Sequence, residues 1–324
     1  MLMLRQGRFA AAVLGLLMMV TSCASGGGDA PASTPGPSVD TMFGQVTVPS
    51  RPQRVVALGW SDAETALALG VQPVGASDWQ GFGGNGVGPW AAGLYTQPPA
   101  QLGTTQPDYE AIAALRPDLI LNTRSSGDPA QNEILSKIAP TVGPPPGTVA
   151  YGTGWREQTR LVSQALGKPE LGEQRVAELD GRLRDAARTH PELAGKTVAV
   201  AAYYGNKWGA YLPGDPRVEF MTDLGMKNKP EINALANGTF YTDIAHERLS
   251  TISADLTVVF PIGADARQLR DDPVLNQIPS ARAGHLLVLD DHELTMAFSS
   301  GSTLGIGYAV EHAAPRFAAA LRGS

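Results

Sequence analysis

Gly59-Trp60-Ser61-Asp62-Ala63 lies between an apolar run and an amphipathic stretch, and it is the chain's nearest approach to a catalytic nucleophile. A serine on a sharp strand-to-helix turn, with His285 or His292 as base and Asp290 behind it, would perform acyl transfer. Ala63 replaces the final glycine of that elbow and no oxyanion loop is evident. An ordinary helix cap accounts for Ser61 as well. Gly81-Phe-Gly83-Gly-Asn-Gly86 has the G-x-G-x-x-G spacing of a dinucleotide loop, but Ser77 to Gln80 separate it from the preceding strand and no acidic ribose partner follows. His190, His246, His285, His292 and His312 form no i, i+4 pair and no Cys/His cluster, so a dedicated metal site lacks its ligands. The chain reads as a binding protein without a resident cofactor, not as an enzyme.

Charge removes another class. The 25 Lys+Arg against 31 Asp+Glu give −6, and −8 once residues 1–22 are set aside, so the basic surface that drives nucleic-acid binding is missing. A length of 324 residues suggests about two domains, and 43% hydrophobic against 17% charged residues is globular, with 37 Gly and 25 Pro implying many turns. The single cysteine, Cys23, rules out an intramolecular disulfide.

The elements that would position these residues alternate. Arg54 to Gly59 predicts a buried strand, Ser61 to Leu69 a helix and Val71 to Ala76 a second strand, a βαβ unit. Tyr109 to Arg116 predicts a short helix stopped by Pro117, followed by the strand Asp118 to Asn122 and the helix Pro129 to Ile138. Leu171, Val176, Leu179 and Leu183 keep helical spacing within Pro169 to His190, the longest helix expected. Beyond it come strands at Lys196 to Ala202, Asp255 to Phe260 and His285 to Leu289, helices at Asp215 to Leu224 and Asp272 to Ile278, a last loop, and a closing helix over Gly301 to Leu321. The expected fold is α/β, with two βα lobes joined by a single long connecting helix and a ligand cleft between them. Its divisions are an N-terminal lobe over 51–150, a helical connector over 151–191 and a C-terminal lobe over 192–324. A weak repeat places one glutamate in each half: Tyr109-Glu110-Ala-Ile-Ala-Ala-Leu-Arg-Pro-Asp-Leu-Ile-Leu and His246-Glu247-Arg-Leu-Ser-Thr-Ile-Ser-Ala-Asp-Leu-Thr-Val-Val.

At the amino terminus Arg5 and Arg8 precede a twelve-residue apolar run, Phe9 to Val20, shorter than the roughly 20 residues that span a bilayer. Val20-Thr21-Ser22-Cys23 resembles the lipobox of bacterial lipoproteins. The resemblance implies that 1–22 is a signal peptide, that Cys23 is acylated on its sulfur, and that the protein is anchored to the cell membrane on its outer side. Residues 23–50 read as a flexible linker.

Together with the repeat and the long connector, Val55 to Gly70, Leu102-Gly-Thr, Phe220 to Gly225 and Ile278 to Leu289 resemble the iron-siderophore, haem and vitamin B12 family of ABC-transporter substrate-binding proteins. The resemblance implies a monomer that captures a ferric siderophore or a haem-like iron chelate and presents it to ABC permease subunits. It also implies that Glu110 and Glu247 pair with permease arginines, one per lobe. Ligands of open α/β lobes lie beyond the carboxyl ends of the strands. That rule nominates Trp60, Ser61, Trp79 and Arg124 in the first lobe, and Tyr203, Tyr204, Trp208, Phe260 and Phe298 in the second. His292, in the last loop, could reach a haem iron. Apart from Arg124 the nearby cations are Lys207 and Arg217, which leaves a less anionic chelate, an amphiphilic siderophore or a haem-like ligand as alternatives. Gly81 to Gly88 are expected to form a mobile cleft rim.

Overall fold

A computed structural model of the chain describes residues 35–104 and 106–323; the leader 1–22 and Cys23 lie outside the described residues. β1 (Pro35–Thr41) and β2 (Gly44–Pro49) pair as an antiparallel hairpin. This corrects the end of the expected linker. Val39 and Val48 are buried against Leu161 and Val162, a two-residue alternation that the Gly, Pro and Ser around it conceal.

The next apolar runs are short and buried, as strands must be in a sheet covered on both faces, except at the sheet edge, where Ala100–Gln101 is exposed. β3 (Val55–Ala57), β4 (Gly75–Ala76), β5 (Ala100–Gln101), β6 (Leu119–Leu121) and β7 (Thr141–Val142) form a parallel sheet in the order β5-β4-β3-β6-β7. Its helices are α1 (Asp62–Ala68), α2 (Tyr109–Ala114) and α3 (Pro129–Ile138). Then α4 (Trp155–Ala165) turns back into α5 (Pro169–Thr189), the connecting helix, whose 21 residues extend about 30 Å. Val176, Leu179 and Leu183 bury one stripe of it. The α4–α5 approach is close enough that a Cβ on Gly172 would stand 2.1 Å from Ser163 Oγ.

The second lobe is a mixed sheet of β8 (Thr197–Tyr204), β9 (Lys207–Tyr211), β10 (Lys227–Asn228), β11 (Tyr241–Ile244), β12 (Leu256–Ile262) and β13 (Leu286–Val288). Its order is β11-β9-β8-β12-β13, with β10 against the start of β8. Around it lie α6 (Pro216–Asp223), α7 (Pro230–Asn233), α8 (Ala266–Arg270), α9 (Pro279–Arg282), α10 (His292–Ser300), α11 (Thr303–His312) and α12 (Ala314–Arg322).

Three helix expectations change here. The last loop is α10: Asp291 accepts from Leu294 N at 3.1 Å as its cap, and Leu294, Ala297 and Phe298 are buried at helical spacing. The closing helix is two helices, because Pro315 has no N–H to continue α11 and instead opens α12. Asp272 to Ile278 holds only a 3-10 turn at Leu275–Gln277. The helix there is α8, capped by Asp265.

One cluster ties the connector to the second lobe. Arg156 on α4 reaches Asp180 on α5 at 2.5 Å, and Glu219 and Asp223 on α6 at 2.9 and 3.0 Å. Burial opposes its charge, yet the hydrogen bonds to Asp223 and Asp180 hold its pKa above the ordinary arginine value. Arg156→Leu should lower the unfolding free energy by about 2–4 kcal/mol, since it strands three carboxylates. Urea denaturation measures this, and a loss below about 0.5 kcal/mol would show that the cluster is only surface ornament.

Candidate ligand-binding cleft

β3 and β6 lie side by side, so the loops at their carboxyl ends emerge together. Trp60 N donates to Arg124 O at 2.8 Å. Gly59 permits that approach, since a Cβ there would meet Asp62 Oδ2 at 2.3 Å and two backbone nitrogens at 2.9 Å. Beneath both loops Asp62 is fully buried. Its carboxylate accepts from Thr123 N at 2.9 Å, from Thr123 Oγ1, and from Gln158 Nε2 at 2.7 Å, and Gln158 also donates to Trp60 O at 2.7 Å. Burial raises the Asp62 pKa against the pull of these donors. The carboxylate thus fixes the two loops that carry Trp60 and Arg124.

Above them stands an aromatic group. Trp60 stacks on Trp79 at 4.6 Å and on Tyr151 at 4.2 Å, and Phe240 of the second lobe meets both Trp60 and Tyr151 edge-on at 6.0 Å. The Arg124 guanidinium lies 5.5 Å from the ring centres of Trp60 and Trp79. Its Nε donates to Tyr151 O and its Nη1 to Ser300 O, each at 3.0 Å, while Nη2 is buried with no partner. Burial lowers its pKa to about 10, which leaves it charged at neutral pH. Arg217, from α6, covers the Tyr211 ring at 3.9 Å, donates to Ser299 Oγ at 3.0 Å and pairs with Asp215 at 2.7 Å.

The lobes meet at the α10–α11 junction. Ser300 O accepts from Ser61 Oγ as well as from Arg124, Ser302 Oγ donates to Glu64, and Gln80 Nε2 donates to Met296 O at 3.1 Å. Glu64 also accepts from Gly88 N at 3.0 Å and Trp90 Nε1 at 2.9 Å.

Of the nominated residues, the structure brings Trp60, Trp79 and Arg124 together. Ser61 has a left-handed backbone, φ +65°, but makes no cap; its hydroxyl is spent on Ser300 O, while Asp290 pairs with Arg270 at 2.5 Å, so serine and acid do not converge. His292 is exposed at the first position of α10. Tyr203 and Trp208 pack on each other at 5.2 Å, with Trp208 buried among Ile232, Ile244 and Leu249, and Tyr204 is 62% exposed at the hairpin tip. Phe260 and Phe298 are core residues, packed on Tyr211 at 5.8 Å and on Phe220 at 5.5 Å. Phe298 leaves the cleft list because its loop is a helix whose apolar stripe faces inward. Tyr151 and Phe240 were missed, since both precede an element and the strand-end rule looks only after strands. Arg217 was named only as a nearby cation.

Glu110 is exposed in the first turn of α2, capped by Asp108 through Ala111 N at 2.9 Å. Glu247 is also exposed, but its segment, His246–Ile252, is a kinked 3-10 helix and not a second copy of α2. Leu249 and Ile252, three apart and both buried, suit that tighter repeat. Gly81, Gly83, Gly84 and Gly86 all have φ between +55° and +71° and open no α-helix. Their loop is held by Asp78, which accepts from Phe82 N at 3.0 Å and Gly83 N at 2.7 Å. Among the described residues no group of three or more His, Cys, Asp or Glu is placed to hold a metal ion, and no helix is long and apolar enough to cross a membrane.

Two α/β lobes, one rigid helical connector and an aromatic, arginine-bearing cleft define a solute-binding protein. The chain belongs to the periplasmic binding protein family, whose sequence model matches residues 55–293. It is 27% identical over 273 residues to the probable siderophore-binding lipoprotein YfiY of Bacillus subtilis (strain 168), covering 77% of this chain and 78% of that protein. A periplasmic solute binding protein from Mycobacterium smegmatis str. MC2 155 superposes with a TM-score of 0.77 at 28% identity, over 88% of this chain and 98% of that one. PiaA of Streptococcus pneumoniae TIGR4, solved in complex with ferrichrome, gives 0.76 at 26% identity, over 89% and 99%.

Burial lifts the Glu64 carboxyl above its ordinary value of 4.5, against the pull of Ser302, Trp90 and Gly88. The folded state therefore binds this proton more tightly than the unfolded chain. Its contribution to stability is full below about pH 4.5 and declines as pH rises through the raised folded value. Urea unfolding between pH 4.5 and 7.5 should show this decline in the wild type and a flatter profile in Glu64→Gln. Identical profiles would place the proton elsewhere.

Proposed function

We propose that this protein captures a ferric siderophore outside the cell and delivers it to an ABC importer, tethered to the membrane through acylated Cys23. The observation that carries the reading is the unpartnered Nη2 of Arg124, a charged donor held among Trp60, Trp79 and Tyr151. A buried donor without an acceptor is costly, and a ligating oxygen of an iron chelate would relieve it with a charge-assisted hydrogen bond. Trp79 and Tyr151 cover the two faces of Trp60, so the stack offers its ring edges and outer faces to the organic part of such a ligand. Arg217 adds a second guanidinium from the other lobe, although Asp215 offsets its charge. The cleft thus suits a chelate of low net negative charge. YfiY is named as a probable siderophore-binding lipoprotein and PiaA was solved with ferrichrome, which supports the same ligand class here.

Tryptophan-fluorescence titration against ferric siderophores, haem and cobalamin tests the reading. A ferric siderophore should quench strongly, and Arg124→Gln should weaken it by about 10- to 100-fold, the worth of one hydrogen bond to a charged group. Binding of none of these ligands, or of haem or cobalamin alone, would overturn it.

Glu110 and Glu247 would register the two lobes on two permease subunits. Exposed pairs of this kind contribute below about 1 kcal/mol each, so they serve orientation and encounter more than affinity. The double variant Glu110→Arg with Glu247→Arg should abolish siderophore uptake by cells while the purified protein binds ligand normally. Unchanged uptake would remove both residues from docking.

A further inference from the structure

Near the cleft lies a cavity of about 560 Å³, between the glycine loop of the first lobe and the amino-terminal half of α10. Phe82, Val87 and Pro89 line it from one lobe and Met296 from the other, with His292 and Glu293 among the polar groups. The glycine loop leaves this space open. Added Cβ atoms at Gly81, Gly83 or Gly84 would meet nothing within 4 Å, so these glycines answer to their positive φ and not to crowding. Within the rim Asp78 accepts from two N–H groups, Gly86 N donates to Gly83 O at 2.9 Å and Phe82 lies edge-on to Trp90 at 5.6 Å.

The cavity adjoins the cleft through one residue. Trp79 stacks on Trp60 in the cleft, Gly81 lines the cavity, and between them Gln80 bridges to Met296 O and keeps a buried Oε1 without a partner. The lining contains no lysine or arginine, and its one acid is Glu293. An anionic group would find no lysine or arginine there, whereas a hydrocarbon would cover Phe82, Val87, Pro89 and Met296.

We propose that this cavity takes an apolar arm of the ligand whose iron-binding head occupies the cleft: an alkyl or acyl chain on an amphiphilic siderophore. The inference rests on the cleft being a siderophore site. The arm passes Gln80 and lies along Phe82 and Met296, so the ligand contacts both lobes twice.

Isothermal titration with synthetic ferric hydroxamates that share one head and carry one n-alkyl arm of increasing length tests this. Kd should fall about fourfold per added methylene, about 0.8 kcal/mol each, until the cavity is filled, and then level off. Ala92→Trp, which fills the cavity from an exposed lining position, should abolish the dependence on arm length and leave the head-only chelate within about twofold. Met296→Asp should flatten the series by the independent route of making the wall polar. Equal Kd values for short and long arms, or a slope that persists in both variants, would overturn the proposal while the cleft reading stands. Failure of the head-only chelate to bind would remove the cleft reading first, and the arm with it.

Discussion

The carbonyl of Ser300 is the point on which the two lobes agree. It sits at the carboxyl end of α10, where backbone carbonyls run out of helical partners and carry the negative end of the helix dipole. Both donors it receives, Ser61 Oγ and Arg124 Nη1, come from the other lobe. A buried carbonyl left unmet would cost about 1–3 kcal/mol, so the lobes settle where these donors reach it. Gly301 ends α10 in the left-handed conformation, and a Cβ there would stand 2.4 Å from Arg124 Nη1. The same bond therefore fixes lobe spacing and the orientation of the guanidinium, and it leaves Nη2 as the donor still to be satisfied.

Two further devices limit how far this junction can move. Glu64 holds the Gly88–Trp90 turn and Ser302 on one carboxylate, and Arg156 holds α4, α5 and α6 on one guanidinium. With the unbroken helix α5 in the connector, opening the cleft means tilting the lobes about α5 while these polar contacts stretch or exchange for water. Large hinge motions would break all of them at once. Capture by small displacement around a nearly formed site is the behaviour these contacts favour, and preorganisation of that kind lowers the ordering cost of binding.

Much of the architecture was legible because buried strands and the connector have strong periods. Pro169 to Thr189 stood out through Val176, Leu179 and Leu183, and β6 through Leu119 to Leu121. The site was half legible. Trp60 and Arg124 follow strands and were found by that rule, whereas Tyr151 and Phe240 reach the cleft from segments that precede α4 and β11. Phe298 was misplaced because nine residues, His292–Ser300, are few for a periodic signal and their capping Asp291 follows a second aspartate in a turn-like context. The pairing of Ser61 and Glu64 with Ser300 and Ser302 could not be read at all, since it joins residues about 240 positions apart.

A crystal structure with a ferric siderophore bound tests the central claim most directly. The expected result is a chelate oxygen within about 3 Å of Arg124 Nη2, the ligand packed on Trp60 and Trp79, and the Nη1–Ser300 bond intact. A ligand bound elsewhere, or one that draws Arg124 off Ser300 while the lobes keep their spacing, would contradict it.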